Sequence, residues 1–201
     1  MKHIQTLACA IFTLSLSTST FADNISQKTT HTFGLQTGGG GIEHKGKDTD
    51  GEGVGYSYLY YNYQFMPHYY AEVGLIGGGD IDDWQCKKDA QGEIECFSDD
   101  SNKFDLKADE FEFGAAVLAI KTDLQLSKRN KLYAKIGAEF YDYEFKLDGN
   151  KTIEDDGVGL LLEAGWEYRW DNGMGINTGL QYQDLGDLEM RSLNIGVSYA
   201  F

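Results

Sequence analysis

The last nine residues of the chain, LNIGVSYAF at positions 193–201, alternate strictly between apolar side chains and small or polar ones. The apolar members of this stretch are Leu193, Ile195, Val197, Tyr199 and Phe201. A repeat of two residues places one set of side chains on each face of a β-strand. The C-terminus therefore predicts a strand with one apolar face and one small or polar face.

The same alternation recurs along the chain and predicts seven further strands. Their apolar faces lie within residues 33–37, 59–65, 71–75, 111–119, 132–140, 158–170 and 174–182. In the fourth of these stretches, the face from Phe111 to Ala119 is expected to point away from Glu110 and Glu112. After Phe140 the phase of the pattern changes, which either a β-bulge or the exit from an apolar layer would explain.

The connections between these stretches alternate in length. Residues 66–68, 127–130 and 171–173 form short connections, and Asn172-Gly173 is a strong hairpin signal. Residues 45–53, 78–107, 148–156 and 184–190 form connections that are mostly longer and acidic. Short turns at one end and longer loops at the other are the plan of an outer-membrane barrel. We therefore expect an all-β, eight-stranded antiparallel up-and-down transmembrane β-barrel.

Composition excludes several classes of protein. The 201 residues include 17 basic and 32 acidic side chains, a formal net charge of −15, and 13% are aromatic. Aromatic content at this level argues against a disordered chain, and the acidic balance argues against nucleic acid as a partner. The mean hydropathy of −0.42 does not exclude a membrane barrel, because only alternate residues of its strands meet lipid.

The face opposite the apolar one carries glycines together with charged side chains, a mixture that suits the interior of a small barrel. A soluble barrel of the lipocalin type would place its apolar residues inside instead. The charged residues expected in the lumen are Glu72, Glu110, Glu112, Lys135, Glu139, Glu163, Glu167 and Arg169. We expect them to fill the lumen as ion pairs, with Lys135 or Arg169 bridging Glu72 or Glu139; a narrow path for cations is the alternative.

The N-terminus predicts an export signal. Lys2 precedes an apolar stretch at residues 4–16, which is too short to span a membrane as a helix. Cleavage after Ala22 would leave a barrel domain at residues 23–201. In an exported chain, Cys86 and Cys96 predict a disulfide rather than a metal site.

Two segments and the C-terminus resemble the OmpA-like and OmpX/Ail-type family of eight-stranded outer-membrane barrels. They are YQFMP at 63–67, AEVGL at 71–75 and YAF at 199–201. The resemblance implies that Glu72 joins an interior salt-bridge network and that alternate residues from Leu193 to Phe201 form the signal read by the barrel-assembly machinery. It also implies a monomer without a cofactor, whose partners are outer-membrane lipid, lipopolysaccharide and periplasmic chaperones.

Three functions fit these features. The first is a structural, adhesion or surface-interaction role through the acidic extracellular loops, with a host or cell-surface ligand. The second is a narrow cation-preferring channel. The third is a lipid A-modifying enzyme, which we rank last because His44 is the sole mature histidine expected near the outer loops and lacks a nucleophilic partner motif. The loop carboxylates are also potential calcium ligands, although no spacing matches a calcium loop.

Overall fold

A computed structural model describes residues 31–44, 47–81, 84–88, 94–98, 108–147 and 151–201. The predicted export signal lies outside these residues. Ten strands are present: β1 His31–His44, β2 Lys47–Met66, β3 Tyr69–Ile81, β4 Trp84–Lys88, β5 Ile94–Ser98, β6 Ala108–Gln125, β7 Asn130–Leu147, β8 Lys151–Arg169, β9 Met174–Leu185 and β10 Leu188–Ala200. The described residues contain no α-helical membrane span.

Eight of the strands form a closed, all-antiparallel barrel, which confirms the predicted fold. Their order around the barrel is β1-β10-β9-β8-β7-β6-β3-β2. The barrel closes where β1 pairs with β10, with Leu35 opposite Val197. The remaining strands, β4 and β5, form a separate two-stranded sheet in the connection between β3 and β6.

Tight turns join strands at one end of the barrel, which we call the turn end. Pro67 and His68 link β2 to β3, and His68 adopts a φ of 67°. Between β8 and β9 the predicted hairpin is present, although Gly173 alone takes a positive φ, of 89°. The absence of a Cβ makes glycine the residue best suited to that backbone conformation.

The opposite end, which carries β4 and β5, is the loop end, and here the sequence prediction needs correction. The expected loop at 184–190 is a two-residue turn, in which Gly186 has a φ of 75°. Much of 45–53 and 148–156 is likewise strand. The barrel strands run to 20 residues, whereas spanning a membrane takes about 9 to 11. The strands therefore continue beyond the span.

Side chains on the turn-end part of the barrel follow the predicted alternation. Apolar residues of β1, β2, β3, β7, β8, β9 and β10 point outward, as shown by Leu193 with 64% of its surface exposed. The inward positions hold polar groups such as Gln36 and Asn177, which are buried. This half of the barrel has the surface expected of a protein that contacts lipid.

Toward the loop end the two faces exchange character. Phe111 and Phe113 are buried inside the barrel, so the expected outward face of β6 from Phe111 to Ala119 was wrong. Glu112 is exposed on the outside instead of lining the lumen. The inward apolar cluster consists of Ile42, Val54, Tyr56, Tyr58, Tyr60, Ile76, Phe111, Phe113, Ala115, Val117, Ala119, Tyr141, Tyr143, Leu161, Leu185, Leu188 and Met190.

This exchange also explains the phase change after Phe140. The pairing of β7 with β8 continues without a register shift, and Tyr141 and Tyr143 point inward as their positions in the strand require. The exit from an apolar layer, rather than a bulge, therefore accounts for the pattern. A strand that leaves lipid for water needs polar groups outside and apolar groups inside, as in a soluble barrel.

Candidate functional site

Lys135 is the centre of the polar network in the lumen. Its Nζ lies 2.9 Å from Glu72 Oε1 and also contacts Glu163 Oε2, and all three side chains are at most 2% exposed. The ammonium group also lies 4.5 Å from the centre of the Tyr58 ring. Tyr58 in turn donates a hydrogen bond of 2.5 Å to Glu72. Each charge in this cluster therefore has a direct partner.

Neutral donors complete the environment of Glu163. Its Oε1 accepts hydrogen bonds from the Tyr133 hydroxyl at 2.6 Å, from Gln36 at 2.9 Å and from Asn194 at 3.1 Å. These donors belong to three different strands, so the carboxylate connects β1, β7, β8 and β10 across the lumen. Such a fully engaged buried carboxylate is a structural group that rigidifies the interior.

Two more ion-pair clusters lie nearer the turn end. Glu167 contacts Lys121 at 3.0 Å and Arg169 at 2.7 Å. Asp123 accepts from Lys131 at 2.8 Å, from Tyr70 at 2.7 Å and from His68 Nδ1 at 2.6 Å. The His68 contact joins the turn after β2 to the wall formed by β6 and β7. The residues of these clusters are Lys121, Asp123, Lys131, Glu167, Arg169, His68 and Tyr70.

The inward glycines provide space for tyrosine rings. A Cβ added to Gly34 would collide with the ring of Tyr60, and one added to Gly74 would collide with that of Tyr58. The outer ends of these rings therefore occupy the space that a side chain on the neighbouring strand would need. Glycine thus allows the lumen of a narrow barrel to hold several aromatic side chains.

The structure places the predicted lumen residues in three groups. Glu72, Lys135, Glu163, Glu167 and Arg169 lie within the ion-pair clusters, and Lys135 bridges Glu72 as one of the expected pairs. Glu139 is buried but contacts Gln183 rather than a cation. Glu112 lies on the outer surface, and Glu110 occupies β6 with a side chain outside the described set.

Three charged residues of the described ion-pair clusters were missed by sequence reasoning: Lys121, Asp123 and Lys131. Lys121 and Asp123 continue the two-residue repeat of β6 beyond Ala119, so the signal was present. The predicted apolar face of β6 ended at Ala119 and was assigned to the outside of the barrel. Lys121 and Asp123 were therefore not predicted to point into the lumen. The correct face of β6 would have identified them.

A polar cavity of about 180 Å³ opens among the charged residues at the turn end. It is lined by Thr32, Asn62, Gln64, Tyr70, Lys121, Asp123, Lys131, Glu167 and Arg169. The cluster around Lys135 and Glu163 fills the next layer of the lumen. The cavity is therefore a short vestibule in the part of the barrel that the structure describes.

The outer surface above the apolar band carries the second candidate site, which we call the acidic collar. The collar consists of the outward carboxylates Glu43, Glu112, Asp142, Glu144, Glu154, Asp156, Asp184 and Glu189. Glu144 lies directly opposite both Glu112 on β6 and Glu154 on β8. Asp142 likewise lies opposite Asp156. Like charges placed directly opposite one another destabilise a sheet.

Among the side chains that the structure describes, Arg191 is the cation that contacts part of this collar. Arg191 contacts Glu43 at 3.3 Å and Glu189 at 3.6 Å, on the β1 and β10 side of the barrel. The five carboxylates on β6, β7 and β8 form the collar's most concentrated negative surface. That side can attract a cation or a cationic group from solution.

Other predicted site residues remain predictions. The pairing of β4 with β5 places Cys86 opposite Cys96, but their side chains lie outside the described set, as does that of His44. Among the described residues, no group of three or more His, Cys, Asp or Glu side chains is placed to hold a metal ion.

The C-terminal residues lie at the seam between β1 and β10. Phe201 exchanges backbone hydrogen bonds with His31, at 3.1 and 2.8 Å. Its ring stacks on that of His31 at 5.6 Å and on that of Phe33 at 6.1 Å. The predicted assembly signal thus forms one side of the junction that closes the barrel.

Comparison with known proteins supports this architecture. No curated protein matches the sequence. Among solved structures, Neisserial surface protein A is 12% identical with a TM-score of 0.63, over 85% of this chain and 97% of that one. Ail, the attachment invasion locus protein of Yersinia pestis, solved with the heparin analogue sucrose octasulfate, is 12% identical with a TM-score of 0.56, over 87% and 100%. OprG from Pseudomonas aeruginosa is 14% identical with a TM-score of 0.53, over 86% and 95%.

The family assignment rests on the sequence itself. The sequence model of the outer membrane protein beta-barrel domain matches residues 7–201. The match includes every strand of the closed eight-stranded barrel, with its outward apolar band and polar lumen. The chain belongs to the outer membrane protein beta-barrel domain family and is a protein of the outer membrane.

Proposed function

We propose that this barrel binds a cationic partner at the cell surface through its acidic collar. The observation that carries the proposal is the row formed by Glu112, Glu144 and Glu154, in which like charges face each other on three adjacent strands. Such a row costs folding stability in isolation, and a cationic partner relieves its repulsion. The collar therefore supplies an interaction surface on the rigid barrel wall itself.

The sign of the charge identifies the class of partner. Ail has been solved with an anionic heparin analogue, whereas the collar of this chain would repel a sulfated sugar. A lysine- or arginine-rich segment of a protein fits the collar better. A divalent cation that screens the row is another outcome that the binding experiment below distinguishes.

A narrow cation channel is the second candidate function, and the vestibule of about 180 Å³ at the turn end favours it. The layer beyond this vestibule argues against it, because Lys135, Glu72 and Glu163 contact one another across the lumen and are almost completely buried. Conduction would require these ion pairs to separate. We therefore expect no steady ion current through the protein in planar bilayers.

We propose a binding role rather than an enzymatic one. The described ion-pair clusters of the lumen engage their lysines and carboxylates with one another inside the barrel, so these groups are not available to a lipid substrate at the outer rim. We also propose that residues 1–22 are removed on export. N-terminal mass determination of the protein from outer membranes would give a chain beginning at Asp23 if this is correct.

Binding to a cationic probe tests the main proposal. The protein in lipid nanodiscs is titrated with a fluorescent oligolysine peptide, and the E112Q/E144Q/E154Q variant is compared with wild type. Exposed ion pairs contribute roughly 0.2 to 1 kcal/mol each, so losing three should weaken binding by about threefold to a hundredfold. Added salt should weaken wild-type binding as well.

The matched control is E43Q/E189Q, which removes two collar carboxylates that lie beside Arg191. This variant should retain most of the binding. Equal binding by wild type and by the triple variant would refute the collar as the binding surface. Loss of binding at millimolar calcium, but not at the same ionic strength of sodium, would identify the row as a divalent-cation surface instead.

A further inference from the structure

Glu139 and Gln183 form an isolated polar pair in the barrel interior. Glu139 on β7 and Gln183 on β9 are both 0% exposed. Gln183 Nε2 donates a hydrogen bond of 2.8 Å to Glu139 Oε2. The second oxygen of each group, Glu139 Oε1 and Gln183 Oε1, has no hydrogen-bond partner among the described residues. Two buried acceptors thus lack a donor, which is costly inside a protein.

Among the described residues, no free cation lies beside this pair. Val117 on β6 and Gly159 on β8 lie directly opposite Glu139, and Leu161 on β8 lies opposite Gln183. Titratable groups on β7 and on the adjoining strands β6 and β8 include Lys121, Lys135, Tyr141 and Glu163, and Asp184 on β9 also acts on Glu139. Lys135 already contacts two carboxylates, and Lys121 contacts Glu167.

The balance of charge points to the same residue. The inward ion-pair clusters of the described barrel hold four cations, Lys121, Lys131, Lys135 and Arg169. They face four carboxylates, Glu72, Asp123, Glu163 and Glu167, each in an ion pair. Glu139 is a further carboxylate, completely buried, and has no ion pair among the described residues. An ionised Glu139 would therefore be an uncompensated charge in a buried site.

We propose that Glu139 is a proton-binding site in the folded barrel. A proton taken from water during folding converts the carboxylate to a carboxylic acid, and Oε1–H then donates to Gln183 Oε1. Together with the bond from Gln183 Nε2 to Glu139 Oε2, this makes the two-bond ring of a carboxylic acid paired with a primary amide. One proton supplies the donor that both free oxygens lack and removes the excess negative charge.

The pair also has a defined place in the fold. It lies between the ion-pair clusters toward the turn end and the apolar cluster toward the loop end. A neutral pair can separate these two layers without carrying charge into the apolar one. Loss of the proton at alkaline pH would place an unpaired charge beside Leu161 and Val117, and the barrel would weaken.

Infrared spectroscopy of the folded protein in lipid tests this assignment. At neutral pH, wild type should show the carbonyl band of one protonated carboxylic acid, shifted in D₂O, because solvent-exposed carboxylates are ionised there. The difference spectrum between wild type and E139Q should contain this band. A difference spectrum that contains an ionised carboxylate band instead would overturn the proposal.

Two variants guard against misassignment. E163Q removes an ion-paired carboxylate and should leave the acid band unchanged. Q183L removes the amide and should shift the band to the frequency of a weakly bonded acid. If E139Q does not fold, the wild-type spectrum still decides, since a folded barrel without any acid band at neutral pH contradicts the proposal.

Discussion

The replacement of Lys135 by Met tests whether the lumen depends on its central cation. Met is similar in length and apolar, so the change removes the charge without opening a large cavity. It leaves the carboxylates of Glu72 and Glu163 next to each other, with side chains that are 2% and 0% exposed. Removing one partner of a buried ion pair costs about 3 to 5 kcal/mol, since the remaining charge is uncompensated.

We expect the free energy of unfolding of K135M to be lower than that of wild type by about 3 to 5 kcal/mol. This is a large part of the roughly 5 to 15 kcal/mol that typically stabilises a domain. The assay is urea unfolding of the barrel in lipid vesicles, followed by tryptophan fluorescence and by the gel mobility of unheated samples. Fluorescence and mobility should give the same midpoint if the transition has two states. A shift of the urea midpoint with an unchanged slope would show a loss of stability alone.

The control for this variant removes all three charges. K135M/E72Q/E163Q contains no uncompensated charge, and replacing a whole buried ion-pair group is often neutral or stabilising. The triple variant should therefore recover most of the stability lost by K135M. Wild-type stability in K135M, or an equally unstable triple variant, would refute the reasoning that charge compensation holds this layer together.

Three other perturbations address features outside the lumen centre. E144Q should raise stability by roughly 0.2 to 1 kcal/mol, measured by urea unfolding, because it removes the middle charge of a repelling row, and high salt should abolish the gain. Arg129 donates a 2.5 Å hydrogen bond to Asp171 between two exposed turns and holds the pKa of that carboxyl below its usual range. Wild type should therefore be more stable than D171N above about pH 4, and this difference should vanish as the pH falls through the lowered pKa of Asp171. The unfolding midpoints of both proteins, measured across an acid pH series, would show it. If Cys86 and Cys96 form a disulfide, the oxidised and the reduced protein should differ in gel mobility after denaturation. The heat-dependent mobility shift of the barrel should persist in reductant, because β4 and β5 are outside the barrel.

The architecture was predictable because a repeat of two residues survives in every barrel strand. The outward faces of β10 and β9 follow directly from the alternation at 193–201 and 174–182. Gly173 likewise lies in a turn that the Asn-Gly hairpin signal predicts. Local patterns of this kind depend on neighbours in the chain and need no knowledge of tertiary contacts.

The assignment of faces in β6 failed for a physical reason. Alternation shows that the two faces of a strand differ in polarity, but it does not show which face contacts lipid or water and which points into the barrel. Phe111 and Phe113 alternate with acids just as Leu193 and Ile195 alternate with polar residues, yet they lie in a part of the barrel where water is outside. Counting residues upward from the turn between β6 and β7 would have placed them beyond the apolar band.

The ion pairs were predictable in kind but not in detail. Lys135 faces Glu163 directly across β7 and β8, but its other partner, Glu72, comes from β3. Contacts across the lumen depend on the tilt and stagger of strands in the closed barrel. No single stretch of sequence encodes these quantities. The same limitation hid Gln183 as the partner of Glu139.

The exchange of faces along the strands also fixes the depth at which the protein sits in its bilayer. On β7 the outward apolar residues run from Leu132 to Phe140, and Asp142 follows on the same face. Nine residues extend about 27 Å along the strand, or about 21 Å vertically at a tilt near 40°. A thicker bilayer would draw carboxylates into hydrocarbon, so hydrophobic mismatch should favour thin membranes or thin the lipid around the barrel.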